Sequence, residues 1–186
     1  FGASSHGEIS GGSVTRNSLT STSGHGAGIR ASEDVKLSGS PYIGSNYNTS
    51  SNSNDVYLPS ESSVLKVSGA LGDNARIGIV GGGTPDNHYA AVGSDGHQIT
   101  ESDRSKFFSD TAYYAVKPLD AAYNRVEMGE SWFVALRSGH VTVVSERSAE
   151  GAVALEKEQR AKVWRGEDFV FSVEPAEGYA KTDALS

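Results

Sequence analysis

The motif Ile9-Ser10-Gly11 returns as Leu37-Ser38-Gly39 and again as Val67-Ser68-Gly69, at intervals of 28 and 30 residues. Self-similarity at a near-constant period of this length is the mark of a solenoid, because one unit cannot bury its apolar side alone and only stacking of successive units closes a core. Other pieces keep step with the motif. Gly28-Ile29 matches Asp55-Val56, and Val35-Lys36-Leu37 matches Leu65-Lys66-Val67, each followed by small polar residues. Short apolar runs punctuated by Gly, Ser and Asn read as strands and turns. The expectation is a coil of short strands, with any function on its surface.

Residues 1 to 54 carry 14 Ser together with the run Gly44 to Asn54, a composition that also suits a flexible linker. The period decides for the solenoid, because Ile9, Val14, Ile29, Val35, Leu37 and Ile43 recur where each coil would turn an aliphatic side chain inward. The stretch 44–54 is then a loop bulging from one rung. Asn17 and Asn46 follow the inward positions Val14 and Ile43 by the same interval of three. Stacked, their amides would satisfy one another and the turn backbone, as a short asparagine ladder.

The clearest strands are 55–58, 64–67 and 75–80, after which Gly81 to Asp86 is expected to end the regular coil. Thr100 and Asp103 are spaced as a capping box ahead of Phe107-Phe108, so a helical turn is expected there, with the aromatic pair covering the open end of the stack. Tyr113, Tyr114 and Val116 suit a following strand. Residues 132–137 and 141–144 flank Ser138-Gly139-His140 as a hairpin, with further strands at 151–155, 163–166 and 168–173. The chain also changes character midway: 15 of its 22 Gly but only 4 of its 16 aromatic residues lie in residues 1–83.

A net charge of -7 and an isoelectric point near 5.2 exclude the basic stripe that nucleic acid or an anionic membrane surface requires. No run of 18 apolar residues is present, so membrane insertion by a helix is not expected. The chain starts at Phe1 without Met or leader and reads as a fragment or processed product. With no Cys, neither a disulfide framework nor a thiol nucleophile exists.

The stretch Leu37 to Gly44, followed by Asn54-Asp55-Val56-Tyr57-Leu58-Pro59 and Val67 to Leu71, resembles the carboxy-terminal rungs of bacterial surface right-handed β-helix proteins of adhesin type. The likeness continues through Ala75 to Ile79 and Phe107 to Asp110, covering roughly residues 7 to 118. Val163, Gly166, Phe169, Phe171, Val173, Pro175, Gly178 and Tyr179 resemble a bacterial extracellular repeat module of the internalin B-repeat kind, stopping short of its closing strands. The resemblance implies an all-β chain: a short right-handed parallel β-helix over 1–83, a cap and connecting β segment over 84–137, and a partial antiparallel β module over 138–186. It also implies an extracellular, secreted or wall-attached location and a display or spacer role, with strand pairing to another chain open to the incomplete module.

Chemistry is sparse. His6, His25, His88, His97 and His140 lack metal-ligand spacing, no Gly-x-Ser-x-Gly elbow occurs, and Gly81 to Gly83 lack the Lys and Ser/Thr of a phosphate loop. No catalytic residue, metal or cofactor is assigned. Asp86-Asn87, Asp95-Gly96, Glu101 and Asp103 suit calcium by composition only, and ordinary turns account for them. Glu8, Glu33, Asp34, Asp55 and Glu61 read as solvated corners rather than a polysaccharide-cleaving pair. Tyr42, Tyr47, Tyr57 and Tyr89 are the candidate ligand-binding residues, since aromatic faces stack on sugars. The main expectation is a non-enzymatic display module with a cell-surface glycan or protein partner. The alternatives are the accessory end of a carbohydrate-active β-helix enzyme and a strand-exchange assembly module.

Overall fold

The computed structural model describes residues 7–21, 24–49, 52–60, 62–81, 88–111, 114–137, 140–145 and 160–164. It is a parallel β-helix of about three turns whose coils each contribute one strand to a first sheet and a broken or continuous strand to a second. Coil 1 comprises β1 (Gly7–Ile9), β2 (Ser13–Val14) and β3 (Ile29–Arg30). Coil 2 repeats this with β4 (Val35–Gly39), β5 (Tyr42–Ile43) and β6 (Val56–Leu58), and coil 3 consists of β7 (Leu65–Leu71) and β8 (Arg76–Gly81). Then follow β9 (His88–Gly93), the helical turn α1 (Glu101–Arg104), β10 (Phe107–Ser109), β11 (Tyr114–Val116), β12 (Arg125–Arg137), β13 (His140–Ser145) and β14 (Arg160–Trp164).

The repeat and the register agree at the aliphatic positions, while past Leu37 the ladder shifts and sets Gly39 opposite Leu71. In the first sheet β1, β4, β7 and β9 run parallel, with Ile9 opposite Leu37 and Leu37 opposite Val67. Val35 lies opposite Leu65, Lys36 opposite Lys66, and Ile29 opposite Val56, the matches visible in the sequence. Alternation along each strand sends Leu37, Ile43, Val56, Leu58, Leu65, Val67, Ile77 and Ile79 into a continuous apolar column, all at or below 1% exposure. Burying side chains of this size contributes about 1.5–3 kcal/mol each, which is what holds otherwise polar, Ser-rich coils together.

The Ser-Gly element of the motif has a geometric cause in coil 2. Gly39 adopts φ +63 beside a register shift in the β4–β7 ladder, and a Cβ there would run into the Ser10 carbonyl of the coil below. At Gly11 a Cβ would meet nothing, so the three glycines are alike in sequence and different in need.

Two features depart from expectation. The stack does not end at Gly81 to Asp86: β9 adds a fourth parallel strand beside β7, and β10 pairs in parallel with β8 through Phe107 opposite Ile77. Of the aromatic pair, Phe107 alone closes the core, at 3% exposure, while Phe108 faces outward at 38%. The capping box stands as read. Thr100 Oγ1 accepts from the Asp103 backbone N–H at 3.1 Å and Asp103 Oδ2 accepts from the Thr100 N–H at 2.9 Å.

β12 joins the two β systems. Its first half pairs antiparallel with β9 and β11, and its second half pairs antiparallel with β13 and β14. The hairpin expected around residues 138–140 is formed by β12 and β13, with Arg137 opposite His140. The strands expected at 151–155 and 168–173 lie outside the described residues, as does Tyr113.

Candidate functional site on the outer face of the second sheet

The second sheet stacks β2, β5 and β8 at one end and β3, β6 and β8 at the other, so coils 1 and 2 are interrupted where β8 runs straight. The interruptions are excursions, one between β2 and β3 and one between β5 and β6. They lie one above the other. Arg16 N–H donates to the Ser45 carbonyl at 3.0 Å, Tyr47 N–H to Asn17 O at 3.0 Å, and Leu19 N–H to Tyr47 O at 3.0 Å.

The asparagine ladder fastens them. Asn46, fully buried, accepts on Oδ1 from the backbone N–H and the side-chain Nδ2 of Asn17, at 3.1 and 2.8 Å. Its own Nδ2 donates to Val14 O at 2.9 Å and to Asp55 Oδ1 at 2.8 Å, while its backbone N–H donates to that same Asp55 oxygen. Asn54, 2% exposed, extends the pattern: its Oδ1 accepts from Gly26 and Ala27 N–H and its Nδ2 donates to Gly24 O. The asparagine amides thereby supply partners to turn backbone at Val14, Asn17, Gly24, Gly26, Ala27 and Gly44, as burial of polar backbone demands.

Asp55 corrects the sequence reading. Glu8, Glu33 and Asp34 are exposed as expected of coil corners, but Asp55 is 2% exposed and inside the structure. The reason is the excursion, which closes on itself: Asn54 N–H donates to the Asn46 carbonyl at 2.7 Å, and both Asn46 donors hold the Asp55 carboxylate. Asp110, just past β10, meets it there. Asp55 N–H donates to Asp110 Oδ2 at 2.9 Å, tying coil 2 to the cap across 55 residues of sequence. Both carboxyls converge above Gly78, whose neighbours Ile77 and Ile79 point inward: a Cβ on Gly78 would meet Asp110 oxygens at 2.8 and 2.9 Å and Asp55 Oδ2 closer still. Burial, and after it the Asp55 charge, push the Asp110 carboxyl up to about 7, with the Asp55 N–H and then Arg76 offsetting only part.

Around this pair lies a row of rings and guanidinium groups. Tyr42 and Tyr57, each between inward-facing neighbours, point outward on the same sheet. The Tyr42 ring lies over Gly44, where a Cβ would come within 3.0 Å of it. Tyr57 stacks on His25 from the coil 1 excursion, with centroids 4.6 Å apart and planes 19° from parallel, and Arg30 sits 5.4 Å from the Tyr57 ring. Arg76 covers the exposed Phe108 at 4.1 Å. Tyr47, 41% exposed, stands on the coil 2 excursion.

Tyr42 and Tyr57 therefore belong to one sheet, with Tyr47 on the excursion that joins their strands. Tyr89 does not. It lies on β9 in the first sheet, where Arg125 covers its ring at 4.1 Å and also lies 4.0 Å from Tyr123. Among the other acidic candidates, Asp95 pairs with Lys36 at 2.7 Å and Glu101 with Arg104. Asp103, 1% exposed, takes donors from Leu71 N–H, Thr100 N–H, the Thr100 hydroxyl and His97 Nε2. Burial pushes that carboxyl up, but these donors outweigh it and hold it below the usual range. Asp86 and Asn87 lie outside the described residues.

His25, Arg30, Arg76, Phe108 and Asp110 were absent from the sequence-based candidates. One signal was available: Arg30, Tyr57 and Val80 hold one register column, so pairing the repeats would have aligned a cation with a ring. Compared with known proteins, the chain matches no family model, no curated protein and no solved structure.

Proposed function

We propose that this chain is a non-enzymatic module of a secreted or cell-wall-attached bacterial surface protein, serving to display a binding face and to hold it at a distance. The observation that carries the reading is the outer row formed by Tyr42, the His25–Tyr57 stack and the Arg76–Phe108 pair, fixed on a rigid parallel stack. Aromatic faces supply stacking area and the guanidinium groups supply hydrogen-bond donors, a combination suited to a glycan or to a polar protein surface. The shared strand β12 suits the spacer role, since one continuous strand pairs with β9 of the stack at its start and with β13 and β14 at its end.

A glycan array probed with the parent chain and with Tyr57→Ala tests this. Binding by the parent that falls at least about tenfold in the variant, a loss of about 1.4 kcal/mol, supports the reading. Equal binding by both removes the face from it.

A further inference from the structure

The Asp55–Asp110 contact is the side-chain link between the coil 2 excursion and the segment following β10, and it joins two groups that repel when both are charged. Asp55 is held rigidly: its Oδ1 takes both Asn46 donors, and its N–H points at Asp110. Asp110 has less to hold it. It sits at the end of a three-residue strand, where its backbone N–H donates to Ile79 O at 2.8 Å. The charged groups facing Asp110 are Asp55, from the segment entering β6, and Arg76, from β8. Arg76, which also lies over Phe108, attracts the charged form of Asp110 but offsets only part of the repulsion from Asp55. With Gly78 beneath and Asp55 beside it, a proton held between the two carboxyls removes the repulsion that the charged pair would carry at this spot.

We propose that the Asp55–Asp110 pair is a proton-operated latch: the shared proton fastens the cap strand's end to the coil 2 excursion, and its loss frees Asp110 and unfastens that end. The sign follows from the geometry. The folded chain holds the proton more tightly than the unfolded one, so the latch contribution is fully present below the ordinary Asp range near 4. It declines as pH rises and is gone above about 7. The excursion that carries Asn46, Tyr47 and Asn54 thereby acquires a pH-dependent anchor, one that tightens in an acidic setting.

The test is a carboxyl carbon-13 NMR titration of the full 186-residue chain from pH 4 to 9, with amide protection factors at Asp55 and, as reference, Leu37. The expected result is an Asp110 midpoint near 7, and an Asp55 protection factor that falls by at least about tenfold between pH 4 and that midpoint and levels off above it, while Leu37 holds steady. In Asp110→Asn the Asp55 protection factor should not vary with pH. Should that variant not fold, Asp55→Asn serves, with the Asp110 midpoint expected to drop toward the ordinary Asp range. An Asp110 midpoint near 4 in the parent chain, or unchanged pH dependence in either folded variant, overturns the latch.

Discussion

At the scale of single residues, the structure turns on buried polar side chains that the coils cannot leave unpaired. Asn46 is the most connected, serving Asn17, Val14, Gly44 and Asp55 at once. Asn46→Ala takes the acceptor from the Asn17 backbone and side-chain N–H groups and one of two Asn46 donors from the Asp55 carboxylate, and losses of this kind cost about 1–3 kcal/mol. A drop of that size in unfolding free energy by chemical denaturation is expected, against less than about 0.5 kcal/mol for Asn48→Ala on the excursion. Asp103 supplies a pH limb opposite in sign to the latch. Its folded-state value is depressed, so its contribution is present above the ordinary Asp range and is lost as pH falls through the folded value. Asp103→Asn should flatten the acid limb of a melting-temperature profile below about pH 4, and a steep residual limb would assign acid sensitivity elsewhere.

Legibility at this scale was uneven. The Asn17–Asn46 ladder could be seen because both residues keep a fixed interval from an inward aliphatic. Asp55 could not, because it borders an excursion with no counterpart in coil 3, and its partner Asp110 lies in a coil lacking the motif. Burial of such a carboxylate depends on how the excursion folds back, which no local pattern records. The His25–Tyr57 stack was hidden for the same reason, since His25 belongs to an excursion as well.

At the scale of elements, strands two to seven residues long persist because they stack: β4 to β8 are paired on both sides, β1, β2 and β3 form the edge and are paired on one, and the stack as a whole builds the apolar column. Isolated strands of this length are not stable. Leu37, fully buried between Ile9 and Val67, is the test position: Leu37→Ala should cost about 2–5 kcal/mol. The helical turn behaves differently. Four residues cannot sustain a helix by themselves, so α1 depends on its box and on the Asp103–Leu71 bond that seats it on coil 3. Thr100→Ala is expected to cost about 1 kcal/mol, and local amide protection at Arg104 and Ser105 should fall before that of the strands. The box was readable from Thr100 and Asp103 because capping is local chemistry. The fourth strand of the first sheet was not, because the glycines at 81–83 break the pattern in sequence while the next segment resumes the register.

At the scale of the whole molecule, the account rests on one arrangement: coils one period apart lie one strand apart, in register. The sheet-to-sheet alternation and the dry column follow from it, as do the stacked excursions and the outer aromatic row that supports a display role. The absence of cysteine from the chain allows this to be tested directly. Glu8, Lys36 and Lys66 occupy one outward register column of the first sheet. Adjacent strands are about 4.8 Å apart, within disulfide reach, and alternate ones about 9.6 Å, beyond it. Oxidation of the double variants Glu8→Cys/Lys36→Cys and Lys36→Cys/Lys66→Cys should close an intramolecular disulfide in each, read by intact mass and free-thiol assay, while Glu8→Cys/Lys66→Cys should remain reduced. Equal crosslinking of all three pairs, or crosslinking of the distant pair alone, would contradict the parallel stack.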